Sequence, residues 1–170
     1  MKIRTDFITN SSSSSFIVGF KSEDTICQEV NDSLKDYDKE YADLVLSDIT
    51  HSERLSVEQA VEIISEKEFE DVESYQIWKY ANNHNNISYR DIIKYFENEG
   101  KAELEVSRQE IIANTKRRIA NCGCSVFVDL EYGNDSSKWS ERTEKQHDID
   151  CDLESIMNDL PITLARLSYH

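Results

Sequence analysis

The chain has 170 residues, 31% of them charged, with 34 acids against 19 bases and a net charge of −15. That length carries one ordinary core, so a single domain over residues 1–170 is expected, and acidity this strong argues against bulk attraction to nucleic acid. With 4 Gly and 1 Pro, long disordered linkers are not expected and helices are favoured.

No window approaches the ~18 apolar residues of a membrane span. The opening "MKIRTDF" is basic but has neither the apolar stretch nor the cleavage site of an export signal, so a cytoplasmic protein is expected. In that compartment Cys27, Cys122, Cys124 and Cys151 are thiols or metal ligands rather than disulfides. The charge is uneven. Residues 22–74 hold 17 acids against Lys35, Lys39, Arg54 and Lys67, whereas residues 75–123 hold eight bases and six acids. A solvated helical surface or a basic partner both fit this distribution.

In chain order, Ile3, Thr5 and Phe7 alternate with Lys2, Arg4 and Asp6, the period of a half-buried strand. "FIVGF" (16–20) is apolar on both sides and predicts an interior strand. The five serines Ser11–Ser15 then form a turn between two strands or the start of the second. From Asp24 the period is helical, with Ile26, Val30, Leu34, Tyr37, Tyr41, Leu44 and Val45 in one stripe. Ser56 and Gln59 have capping-box spacing for a second helix. "VESYQIWKYA" predicts a third, burying Val72, Tyr75 and Trp78 or Ile77.

In "SYRDIIKYFENEG", Ser88 caps a helix striped by Tyr89, Ile92, Ile93 and Phe96, and Gly100 suits a left-handed close. "KAELEV" (101–106) alternates like a short strand, and Ser107 with Glu110 caps the helix that follows. "CSVFVDLEY" (124–132) is the best strand pattern. After the turn residues "GNDSS", "KWSERTEKQHDIDCD" is expected to return as a polar edge strand, making a hairpin. Short helices at "LESIMNDL" and from Pro161 close the chain. The expected class is α+β, a small antiparallel sheet of N-terminal strands and a C-terminal hairpin covered by central helices.

"MKIRTDFITNSSSSSF" resembles the opening of many small uncharacterised bacterial and phage-associated proteins, over the first 16 to 20 residues. The resemblance carries no assigned activity. It implies a mobile-element or accessory-gene setting, in which small acidic proteins act as inhibitors of a host system.

Several groups could carry chemistry. The serine run could cradle a phosphate, but it has no glycine before Gly19, no lysine and no helix behind it. In the expected hairpin, Cys122 and Cys124 would meet His147 and Cys151, a Cys3His set of the kind that holds structural zinc; the alternative is four thiols packed as small hydrophobes. No other cofactor is expected. On a strand, Asp148, Asp150 and Asp152 would share one face and could bind a hard cation, or simply solvate an edge. Lys116–Arg118 is the one basic cluster and suits a helix C-terminus.

Two functions from different classes remain. The first is a non-enzymatic acidic protein, with Asp32, Asp36, Asp38 and Glu40 docking on a basic surface of a partner protein, as an inhibitor or accessory factor. The second is a small metal-dependent enzyme, or zinc-stabilised domain, built on the C-terminal His/Asp/Cys cluster.

Overall fold

The computed structural model describes residues 13–84, 87–133 and 139–169. Among these residues the architecture is α+β, as expected, with six α-helices and one four-stranded antiparallel sheet. The chain separates into two compact units. One comprises the described parts of Met1–Ser56 and Gly123–His170, and the other is the helical segment Val57–Cys122.

The first unit holds the sheet. Strand β1 (Ser13–Phe20) lies between β3 (Val126–Gly133) and β4 (Thr163–Tyr169), and the two-residue β2 (Arg54–Leu55) extends the sheet beyond β3. Phe16 pairs with Leu130 and Val18 with Val128 on the face that packs against helices α1 (Ile26–Ser33), α2 (Lys39–His51) and α6 (Glu144–Ile156). The opposite face carries Ile17, Phe127 and Leu167, all nearly fully buried. β1 is therefore apolar on both sides, as "FIVGF" predicts of an interior strand. The strand expected over residues 2–7 lies outside the described residues.

Three expectations for this unit are corrected. The stripe from Asp24 is broken at Leu34 into α1 and α2, so Tyr37 lies on the connection and is exposed. "TEKQHDIDCD" is helix, not a returning strand: Thr143 caps α6 by accepting from the Gln146 amide, and the Gln146 side chain accepts in return from the Thr143 N–H. The C-terminal hairpin does not form, and β3 pairs with β1 and β2 instead. Third, Pro161 starts no helix, since Thr163–Tyr169 is β4, joined to β1 through a register shift at Ile17/Val18.

The second unit contains α3 (Val57–Asn83), α4 (Tyr89–Glu97) and α5 (Lys101–Asn121). The two helices expected between Ser56 and Ala81 are one, because no Gly or Pro interrupts them. Tyr75 and Trp78, expected in the core, are 60% and 62% exposed and stack on each other. The Ser88 hydroxyl caps α4 by accepting from the Asp91 N–H at 3.2 Å. Gly100 has an ordinary φ of −77° and begins α5 rather than closing α4 in a left-handed turn. "KAELEV" is the start of that helix: its Ala, Leu, Glu and Lys are strong helix formers, and six alternating residues are too few to override them.

Candidate interaction surfaces and a buried charge cluster

The expected acidic contact residues sit around the α1–α2 connection. Asp32 lies near the end of α1, Asp36 and Asp38 on the connection, and Glu40 in the first turn of α2; all four are exposed. Asp38 is the N-cap of α2, where the helix dipole favours a carboxylate. Asp32 accepts from the Gln28 amide at 2.7 Å, and Glu40 pairs with Lys145 of α6 at 2.5 Å. Between Asp36 and Asp38, Tyr37 is 44% exposed, its ring 5.6 Å from that of Tyr41. The Tyr41 hydroxyl donates to Asp152 of α6 at 2.6 Å. That bond, with some burial and the nearby carboxylates, pushes the Tyr41 phenol up to about 12.

The C-terminal cluster is arranged differently from the sequence expectation. Without the hairpin, its register cannot bring Cys122 and Cys124 to His147 and Cys151. Cys122 caps the end of α5, Cys124 precedes β3 over Gly19, and His147 and Cys151 lie one turn apart on α6. All four cysteines are thiols. Among the described residues no group of three or more His, Cys, Asp or Glu side chains is placed to hold a metal ion. Burial, and after it the charges of Asp150, Glu154, Asp148 and Asp152, raise the Cys151 thiol above its usual range, so the thiolate a metal or an electrophile would need is disfavoured. The three aspartates do not share a face. Helical period leaves Asp148 and Asp152 exposed and turns the fully buried Asp150 inward.

What Asp150 meets is a charge cluster that sequence reasoning missed. Arg142 donates from Nη1 and Nη2 to the two carboxylate oxygens of Asp48, at 3.1 and 2.8 Å, and its Nε lies 3.8 Å from Asp150. Tyr132 of β3 is completely buried, with its hydroxyl turned to the Asp48 carboxylate. Burial first, then the Asp48 and Asp150 charges, raise its pKa well above the usual phenol. Burial alone would weaken the Arg142 cation, but the Asp48 hydrogen bonds and the two carboxylate charges outweigh it and raise its pKa. A sequence signal existed: Asp48 falls between the buried Val45 and Ile49 of α2, and Asp150 between Ile149 and Leu153 of α6. An acid on an apolar stripe needs a buried partner. No protein-family model, curated protein or solved structure matches this chain.

In the helical unit, Arg118 of the basic cluster pairs with Glu68 at 2.7 Å. Arg117 donates to Asn114, and Lys116 borders a groove between α3 and α5. Tyr80 stacks on both Tyr95 and His84, with ring centroids 4.1 and 4.2 Å away. These surfaces can offer charge and aromatic area to a partner.

Proposed function

We propose that the protein is a non-enzymatic interaction protein whose sheet-containing unit docks through its acidic helices on a basic surface of a partner protein. The observation that carries this is the exposed Asp36–Tyr37–Asp38 turn. It presents an aromatic side chain of the type enriched in binding hot spots, flanked by two carboxylates at the water interface. Charge supports it: Met1–Ser56 with Gly123–His170 hold 21 acids against 10 bases, a net −11, whereas Val57–Cys122 hold 13 against 9, a net −4. A field of that sign speeds encounter with a basic surface and suppresses acidic competitors. The resemblance of the opening segment to phage-associated proteins fits an inhibitor or accessory factor, and acidic docking of this kind would compete with nucleic acid for its target.

The test starts with native mass spectrometry of the protein purified from its own cells, which reveals a stoichiometric partner. The affinity of that pair is then followed against ionic strength. Replacing Asp32, Asp36 and Asp38 with Asn and Glu40 with Gln is expected to weaken binding and flatten its salt dependence. Unchanged affinity and slope would refute the reading. A mass excess of one zinc ion would redirect attention to the cysteines.

A further inference from the structure

We propose that the groove between α3 and α5 receives one amphipathic helix of a partner protein, carrying Lys or Arg on one flank of its apolar stripe and Asp or Glu on the other. This surface lies in the helical unit and does not depend on the acidic docking reading.

The groove encloses about 540 Å³. Its α3 side is made by Val57, Val61 and Ser65, which recur every four residues, and its α5 side by Arg108, Ile112 and Lys116, with the same spacing. Two such rows form the ridges between which a third helix packs, its own side chains filling the valley. The walls are apolar and reach the surface, with Val57 46% exposed. Single exposed valines are ordinary, but here one continues into a concave apolar face.

Charge defines the occupant. Glu58, Glu62 and Glu66, all exposed, follow one another along the α3 rim, one position after each groove-lining residue. On the α5 rim stand Arg108 and Lys116. Arg108 is held in place, its guanidinium 4.0 Å from the centre of the Phe69 ring. An entirely basic helix would meet two cations, and an entirely acidic one three carboxylates. A helix with opposite signs on its two flanks meets complementary charge on both sides.

The floor supplies a second observation. Ser65 is only 4% exposed, and its hydroxyl has no hydrogen-bond partner among the described residues. A buried hydroxyl without a partner costs stability, whereas rotation about its Cα–Cβ bond would turn it to an incoming Asn or Gln side chain. One polar group within an apolar helix seam fixes register, so the partner helix is expected to carry such a residue mid-stripe.

The probes are three fluorescent synthetic helices of about 18 residues, long enough to hold helical structure. They share a Leu stripe with one central Asn and differ only in their flanks: Lys on one and Glu on the other, Lys on both, or Glu on both. Anisotropy with the full-length protein should rank the mixed peptide first by about tenfold, with the all-Glu peptide weakest. Glu62→Lys should shrink the advantage of the mixed peptide over the all-Glu one, since the α3 rim falls from three negative charges to a net of one. Ser65→Ala should raise Tm while weakening the mixed peptide, a pair of shifts that a purely structural serine would not give.

Equal affinities, or no binding of any peptide at about 1 mM, would overturn the proposal. A preference for the all-Lys peptide would overturn it too, because that is attraction to net charge and leaves only the acidic docking reading standing. If that preference disappears when Asp32, Asp36, Asp38 and Glu40 are neutralised, the acidic patch is the attracting surface.

Discussion

Arg142 grips Asp48 through both terminal guanidinium nitrogens, although the two side chains are only 7% and 6% exposed. The pair ties the segment before α6 to α2, and Asp150 lies 3.8 Å away on the other side of the same guanidinium. One cation thus compensates two buried carboxylates. Arg142→Ala should therefore destabilise the protein by about 3–5 kcal/mol in urea unfolding, because it removes the cation that both buried acids face. Replacing all three residues with apolar side chains of similar volume should restore most of that loss, since a buried ionic set seldom outperforms packed hydrocarbon. A loss under about 1 kcal/mol for Arg142→Ala would mean that water screens the pair after all.

Tyr41 and Asp152 connect α2 to α6 nearer the surface, and their bond gives a stability term that changes with pH. The phenol's ordinary value is 10, and in the folded chain it is pushed up to about 12. A group raised on folding contributes in full below its unfolded value and loses that contribution as pH climbs through its folded value. Stability from this bond is therefore complete below pH 10 and fades between 10 and about 12. Tyr41→Phe should lose about 1 kcal/mol at neutral pH and flatten the alkaline fall. A tyrosinate absorbance titration in which all phenols ionise near the ordinary value would contradict this.

Gly19 shows why one strand position must stay without a side chain. A β-carbon there would come within 2.9 Å of both the Cys124 sulfur and a Leu164 methyl. Both atoms are ends of half-buried side chains that can shift, whereas the Cys124 β-carbon at 3.1 Å is fixed to the backbone, so Gly19→Ala should cost about 1 kcal/mol through overpacking. Adding Cys124→Ala should recover part of it, leaving the contacts with Leu164 and with the β-carbon at position 124 as the remainder. Full additivity of the two losses in a double-mutant cycle would show that sulfur and methyl do not compete for the site.

The elements that were legible in the sequence are those whose periodicity and capping agree. β3 was visible because Val128, Leu130 and Tyr132 alternate strictly and pack on the helical face. α4 was visible because Ser88, Asp91 and Ile92 combine a cap with a stripe. α6 was misread because "HDIDCD" has period two by composition while the capping box at Thr143 and Gln146 dictates helix. β4 was hidden because Pro161 resembles a helix start, and its pairing with β1 spans nearly the whole chain. The exposed acids were readable residue by residue. The buried cluster was not, since it joins Asp48, Tyr132, Arg142 and Asp150 from four separate segments, and only tertiary packing brings these together.

The serine run was ambiguous for the same reason, and it yields a final prediction. Ser14 is 1% exposed within β1. Its hydroxyl accepts from Arg166 Nε and Nη2 at 3.1 and 3.0 Å and donates to Glu154 at 2.9 Å. Beside it, the Ser15 hydroxyl bonds to Asp129 of β3. Ser14 and Ser15 are therefore tolerated inside a sheet because charged groups on β3, β4 and α6 take up their hydrogen bonds. A turn serine could be replaced within about 0.5 kcal/mol. Ser14→Ala should instead cost about 1–3 kcal/mol, by removing the hydroxyl that joins Arg166 to the largely buried Glu154 and leaving only their direct contact at 3.4 Å. Most of that loss should vanish when Ser14→Ala is made in a Glu154→Leu, Arg166→Leu background. Equal losses in both backgrounds would mean that the hydroxyl contributes nothing to the charged pair.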